Sequence, residues 1–247
     1  MPLVRGSILS HHLENAQFCA QRFGLDSLQM RVIVDTVSTA PTGIPQVENG
    51  IVRCEIEQDA SPIRGVAGVL SDATQGMDPD DYIIVSSGAQ VYLERLDDLV
   101  HAMAKLRSDV SLVSSRDASP VGVWLIRVGV LRSIKPVGYV DLKEQALESW
   151  KHDHVVRVVE RPRAYVHPAR SIQEYLDALR RTLQGTARVP QSMRTHSARI
   201  GRARSASPSP AHRLARGRSC TIRSRSAGPR SDAGQWSSAR YCARVRG

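Results

Sequence analysis

Apolar residues along the first three quarters of the chain fall into short blocks whose period alternates between strand-like and helix-like. The densest block is Tyr82-Ile83-Ile84-Val85, preceded by Pro79, Asp80 and Asp81 and followed by Ser86, Ser87, Gly88, Ala89 and Gln90. A nearly continuous apolar run ending in small polar residues is the pattern of a buried parallel strand. Its exit marks the carboxyl edge of a sheet, where open α/β sheets place their ligands, so the centre of a site is expected at residues 87–90.

Around this strand the same logic gives the other elements. Leu9, Leu13, Ala16, Ala20 and Phe23 recur at helical spacing, with Ser7 placed to cap the helix and Gly24 to end it. Residues 31–35 and 51–57 read as strands, the second more exposed because its apolar residues alternate with polar ones. Gly65-Val66-Ala67-Gly68 opens a helical stretch, and glycines there allow backbone N–H groups to approach a base or phosphate as well as making a simple turn. Leu96, Leu99, Val100, Met103 and Leu106 mark a second amphipathic helix, and residues 109–113 and 121–126 two further strands, the latter apolar on both faces. Asp141 with Glu144 begins a helix carrying Leu142, Leu147 and Trp150; residues 155–159 form a late strand; Ser171 with Glu174 caps a last helix with Ile172, Tyr175, Leu176 and Leu179 on one face. Strand and helix alternate throughout, which predicts a Rossmann-like, doubly wound, mostly parallel sheet.

Composition changes this picture only near residue 185. Residues 186–247 hold fourteen of the 34 Lys plus Arg and one of the 24 acids, leaving 20 basic and 23 acidic side chains before the break. The net charge of +10 therefore belongs to the tail, and a nucleic-acid function for residues 1–185 does not follow from it. The tail has no apolar periodicity and reads as disordered: a basic arm binding nucleic-acid phosphates nonspecifically, or an unselected extension. Cys19, Cys54, Cys220 and Cys242 are too widely spaced for a zinc or redox motif, and Cys19 and Cys54 sit among apolar residues as reduced core thiols do. His11 and His12 point about 100° apart on their helix, which does not suit one shared ion. With no apolar run of about 18 residues and no signal segment, the chain reads as a soluble cytoplasmic protein without a membrane partner.

The order of segments over residues 2–183 resembles the sugar-phosphate nucleotidyltransferases, the nucleotide-sugar pyrophosphorylases. Gly65-Val66-Ala67-Gly68 is similar to that family's base-contacting turn, Val85-Ser86-Ser87-Gly88-Ala89 to its strand ending in Asn-Gly-Asp, and Pro120-Val121-Gly122-Val123-Trp124 to the segment lining the sugar. Gly138-Tyr139-Val140-Asp141-Leu142-Lys143-Glu144-Gln145 resembles the stretch whose lysine meets the sugar phosphate, and residues 172–179 the closing helix. The resemblance implies a nucleoside triphosphate or nucleotide-sugar and a sugar phosphate as partners. It implies nucleotide contacts at Gly65, Ala67, Gly68 and Gly88, sugar-phosphate contacts at Gly122, Lys143 and Glu144, and magnesium as the family's cofactor.

The departures point toward impaired catalysis. The family's glycine-rich triphosphate loop precedes the segment with which this chain begins, and its two metal-binding aspartates fall at Ala89 and Pro168, neither of which has a side-chain oxygen for magnesium. Asp72, Asp117 and Glu160 are the acids open to replacing them. If the family's first strand belongs in mid-sheet, its absence should leave an open slot beside the Tyr82 strand. Three readings follow: a nucleotidyltransferase-like domain over residues 1–185 with impaired or absent catalysis, a non-catalytic sugar-nucleotide-binding regulatory or interaction protein, and a nucleic-acid binder acting through its basic tail.

Overall fold

A computed structural model of the chain describes residues 2–3, 6–35, 50–59, 63–115, 122–187 and 240–245. A short hairpin of β1 (Pro2–Leu3) and β2 (Gly6–Ser7) leads into α1 (Ile8–Arg22). Ser7 caps this helix reciprocally with Ser10: the Ser7 Oγ accepts from the Ser10 N–H at 3.1 Å, and the Ser10 Oγ from the Ser7 N–H at 3.3 Å. Leu9, Leu13, Ala16, Cys19 and Ala20 are buried along one face, and Gly24, at φ +60°, turns the chain off the helix.

Next come β3 (Leu28–Val34), β4 (Val52–Gln58), α2 (Gly65–Ala73), β5 (Tyr82–Ser87), β6 (Gln90–Tyr92), α3 (Leu96–Ala104), β7 (Val110–Ser115) and β8 (Val123–Arg127). A single helical turn, α4 (Val128–Leu131), precedes a π-helical turn over Leu142–Ala146 that continues into α5 (Leu147–Asp153); β9 (Val156–Arg161), β10 (Val166–Pro168), α6 (Ile172–Ala187) and β11 (Arg240–Val245) complete the order. Asp141 caps its helix as the spacing predicts, accepting from the N–H groups of Lys143 at 2.7 Å and Glu144 at 3.0 Å. Gln145, not Glu144, returns the bond to the Asp141 N–H, because the first turn is π-helical and one residue longer.

Seven strands form one sheet in the order β4-β3-β11-β5-β8-β7-β9, and β6 pairs separately with β10. Strands β3, β4, β5, β7 and β9 run in one direction, with β8 and β11 reversed. The sheet is thus doubly wound, with five of its seven strands pointing one way, but it is mixed in pairing: only β3–β4 and β7–β9 are parallel ladders, and β5, expected as a buried parallel strand, is buried but bonded antiparallel to both β11 and β8 because those two reversed strands flank it. Helices α1 and α3 share one core with Met30, Val32, Ile84 and Leu125; α2, α4 and α5 share the other with Ile83, Val85, Trp124 and Ile126. Burying side chains of this size on both faces contributes about 1.5–3 kcal/mol each. No helix among the described residues is long and apolar enough to cross a membrane.

The open slot expected beside β5 is filled. β11 lies between β3 and β5 and is antiparallel to both, with Arg240 opposite Ile33 and Ser87, and Ala243 opposite Met30 and Ile84. Two strand edges with unpaired N–H and C=O groups favour any extended segment that saturates both. Most of the stretch expected to be disordered, residues 188–239, lies outside the described residues, but Arg240–Val245 is a strand. In the sequence Arg-Tyr-Cys-Ala-Arg-Val the longest apolar run is the three residues between two arginines, too short for the pattern used for buried strands to reveal it.

Candidate functional site

The carboxyl edge is built around the exit from β5. Its last residues, Ser86 and Ser87, lead through Gly88 and Ala89 into β6, which doubles back beside β10. A buried polar cluster fixes this turn. The Ser86 and Tyr92 hydroxyls are 2.5 Å apart, and the Gln90 amide donates to the Ser86 Oγ at 3.3 Å. From α1, His12 Nε2 donates to the Gln90 carbonyl at 3.0 Å, while His11 Nε2 accepts from the Tyr92 N–H at 3.1 Å. Asn15 adds a third anchor, its side-chain oxygen accepting from the Leu96 N–H at 3.1 Å.

Burial lowers the pKa of both histidines, most strongly for His12, where the neighbouring His11 adds to the effect. Both rings are neutral at neutral pH, with the proton on Nε2 in His12 and on Nδ1 in His11. Burial likewise raises the Tyr92 hydroxyl and the Cys19 thiol, and pushes Cys54 up to about 11, so the two cysteines are unreactive thiols at neutral pH. The sequence singles out His11 and His12 only as a poor metal pair; what it does not show is that their partners are the backbone of β6, some 80 residues away.

The glycine turn at the start of α2 faces the same edge, since α2 follows β4. Gly65, at φ +66°, comes so close to Val140 that a Cβ there would lie 2.4 Å from the Val140 carbonyl oxygen. The same oxygen accepts from the Ala67 N–H at 3.1 Å, and the Val140 N–H donates to the Arg64 carbonyl at 3.0 Å. A Cβ on Gly68 would meet the Arg64 side chain at 3.1 Å. The close approach that these glycines permit is therefore made by the chain's own segment around Val140. Arg64 secures it: its guanidinium bonds both Asp72 oxygens at 2.9 Å and reaches the Lys135 and Gly138 carbonyls at 2.9 and 3.2 Å. That segment carries Lys143 and Glu144, both exposed, to the edge. Gly122, at φ +69° just before β8, faces Gln90, whose side-chain oxygen would lie 2.8 Å from a Cβ. Gly88 sits between β5 and β6, its backbone within hydrogen-bonding reach of His12.

Ala89 and Pro168, far apart in sequence, are neighbours. Pro168 pairs with Gln90 in the β6–β10 ladder, and the Ala169 N–H donates to the Ala89 carbonyl at 2.9 Å. Neither side chain offers an oxygen, so a magnesium ion does not fit this pair. Of the acids open to replacing them, Asp72 is held in a bidentate ion pair by Arg64, Glu160 is exposed on β9 opposite Ser114, and Asp117 lies outside the described residues. Among the described residues no group of three or more His, Cys, Asp or Glu side chains is placed to hold a metal ion.

No family model matches the sequence, and no curated protein matches it significantly. Solved structures do. A protein assigned as a glucose-1-phosphate thymidylyltransferase from Bacillus anthracis, crystallised with sucrose, superposes with a TM-score of 0.52 at 13% identity over 74% of this chain and 85% of that one. A homologue of the Mycobacterium tuberculosis protein Rv0371c, from Mycobacterium sp. strain JC1, gives 0.49 at 17% identity over 74% and 87% of the two chains. Rv0371c itself, in complex with manganese, gives 0.43 at 12% identity over 73% and 90%. The first likeness shows that the chain has a nucleotidyltransferase-like fold.

Proposed function

We propose that the chain binds a nucleotide sugar, or the nucleotide and sugar phosphate that compose one, at the carboxyl edge of its sheet, with nucleotidyl transfer impaired or absent. The observation that carries the reading is the adjacency of Ala89 and Pro168 at the edge of a nucleotidyltransferase-like sheet. The two positions at which the resemblance sets metal-binding carboxylates do converge, and both lack an oxygen. The surrounding turn is nonetheless held firmly by His12, Ser86 and Tyr92, which supports a retained binding surface.

In this reading Gly88 leaves room for the ligand, Gly122 lets the Gln90 side chain close in beside the turn, Lys143 meets a phosphate as an exposed point charge, and Glu144 accepts from a sugar hydroxyl. Gly65, Ala67 and Gly68 act through the Val140 segment, holding Lys143 at the edge. Nucleotidyl transfer depends on donors and cations aimed at developing charge, and a pair of side chains without oxygens supplies none. Thermal unfolding with nucleotide sugars, alongside a pyrophosphate-release assay with nucleoside triphosphates and hexose 1-phosphates, tests the reading. Expected is stabilisation of about 2.7 kcal/mol at a hundredfold excess of ligand over Kd, with no magnesium-dependent pyrophosphate. Rapid pyrophosphate release would overturn the impaired-catalysis reading, and absence of stabilisation by every nucleotide sugar would overturn the binding reading.

A further inference from the structure

The turn after Asp141 is one residue wider than an α-turn. The Ala146 N–H donates to the Asp141 carbonyl at 2.9 Å, and the Leu147 N–H to the Leu142 carbonyl, each bond spanning five residues. Leu142 and Ala146 are buried, and the three residues between them, Lys143, Glu144 and Gln145, are exposed. In an α-turn the spacing of Asp141 and Glu144 would close a capping box, with the Glu144 carboxylate accepting from the Asp141 N–H. In the wider turn the Gln145 Oε1 accepts from that N–H instead, at 2.8 Å. Among the described residues the Glu144 carboxylate has no hydrogen-bond or ion-pair partner, although its own N–H is capped by Asp141. Isolated π-turns of this kind concentrate at functional sites.

We infer that Gln145 is a positioning residue: by occupying the cap it keeps the Glu144 carboxylate available to a hydroxyl of a sugar whose phosphate lies on Lys143. The inference rests on the sugar-phosphate reading of this edge and narrows the ligand class. A carboxylate next to an ammonium in one turn suits a group that carries an anion and a hydroxyl donor close together, as a hexose 1-phosphate does. A simple phosphate monoester uses the ammonium alone. A carboxylate tied to the Asp141 N–H would be fixed against its own helix end, so the cap and the sugar compete for Glu144. Gln145 removes the competition, because an uncharged amide oxygen satisfies the N–H and leaves the charged acceptor exposed.

Two measurements on the full chain test this. Urea unfolding of wild type, Gln145→Met, Glu144→Ala and the double variant asks whether Glu144 takes over the cap once Gln145 is gone; Met keeps the stem and helix propensity of Gln without a strong acceptor. Glu144→Ala is expected to leave the unfolding equilibrium constant nearly unchanged on its own, and to raise it about threefold in the Gln145→Met background, where the carboxylate has replaced the amide. Binding of glucose 1-phosphate and of methyl phosphate, followed by thermal unfolding at rising concentration, asks what the carboxylate does when it is left exposed. Gln145→Met should weaken glucose 1-phosphate about tenfold and leave methyl phosphate unchanged, whereas a merely structural role would weaken both alike. Additive effects in the unfolding cycle, or equal losses for the two phosphates, would overturn the inference. A coupled cycle in a wild type that binds neither phosphate would overturn the sugar-phosphate reading itself, and with it the ligand assigned to Glu144.

Discussion

Gly65 and Val140 touch backbone to backbone: a Cβ on Gly65 would lie 2.4 Å from the Val140 oxygen and 2.8 Å from its nitrogen. Main-chain atoms cannot swing aside as a flexible side chain would, and Gly65 also holds a positive φ. Gly65→Ala should therefore destabilise the fold by about 3 kcal/mol or more in urea unfolding. Gly76→Ala, also at positive φ but with nothing within 4 Å, should cost only about 1 kcal/mol.

Arg64 is the matching side-chain clamp. Arg64→Met removes a bidentate bond to Asp72 and two bonds to the Lys135 and Gly138 carbonyls, and should cost about 2–4 kcal/mol. Asp72→Asn should cost less, because the carbonyl bonds survive. Faster proteolysis near residues 135–138 in Arg64→Met would locate the loss.

His12 sets a pH dependence. Its folded pKa lies well below the ordinary 6.5, chiefly through burial, so the unfolded chain takes up its proton first as pH falls. The stabilisation is complete above the unfolded pKa and is lost as pH drops from there toward the lowered folded value. Urea midpoints measured from about pH 8 to about pH 5 should fall through this window, and His12→Gln should flatten the fall.

Placing a carboxylate at Ala89 should not create an enzyme. The site is 6% exposed, so Ala89→Asp buries a charge without a built partner and should lower stability by about 2–4 kcal/mol. One carboxylate does not complete a magnesium site, so added magnesium should restore little of that loss and pyrophosphate release should stay at background. A gain in turnover from this one change would show that the remaining machinery is intact.

β11 should be indispensable to the sheet. Ala243 is flanked by Met30 on one side and Ile84 on the other, so Ala243→Pro removes a donor from a strand bonded along both edges. A loss of about 3 kcal/mol or more, with binding of a hydrophobic dye, is expected. An unchanged urea midpoint would show that β11 does not hold the slot in solution.

What the sequence made legible was local. The apolar run at Tyr82, the Ser7 and Asp141 caps, and the glycines opening α2 are contained in windows of a few residues, and the elements they imply are present. The alternation of strand and helix also sufficed for the doubly wound arrangement. β11 escaped because its neighbours, not its own pattern, make it a strand: saturating two open edges outweighs the two arginines that interrupt Arg-Tyr-Cys-Ala-Arg-Val. The β6–β10 pair escaped for a related reason, each strand having three residues. In the site, the positions of Gly65, Gly88 and Gly122 were readable, but not that Val140 and Gln90 are what the glycines at 65 and 122 approach, since such contacts join segments 32 to 75 residues apart.

The place of β11 has a kinetic consequence. Its register joins Arg240 to Ser87 and Ile33, partners 153 and 207 positions earlier in the chain. A ribosome delivers β3 and β5 long before the strand that separates them, so during synthesis these two edges wait without their common neighbour. Ladders between such distant segments are the slowest to close, because the loop entropy is spent before any contact rewards it. For that interval the nascent sheet is a template that a neighbouring chain's extended segment can occupy. The yield of folded protein should therefore depend on how many chains are being made side by side, rising when initiation is infrequent or expression is kept dilute.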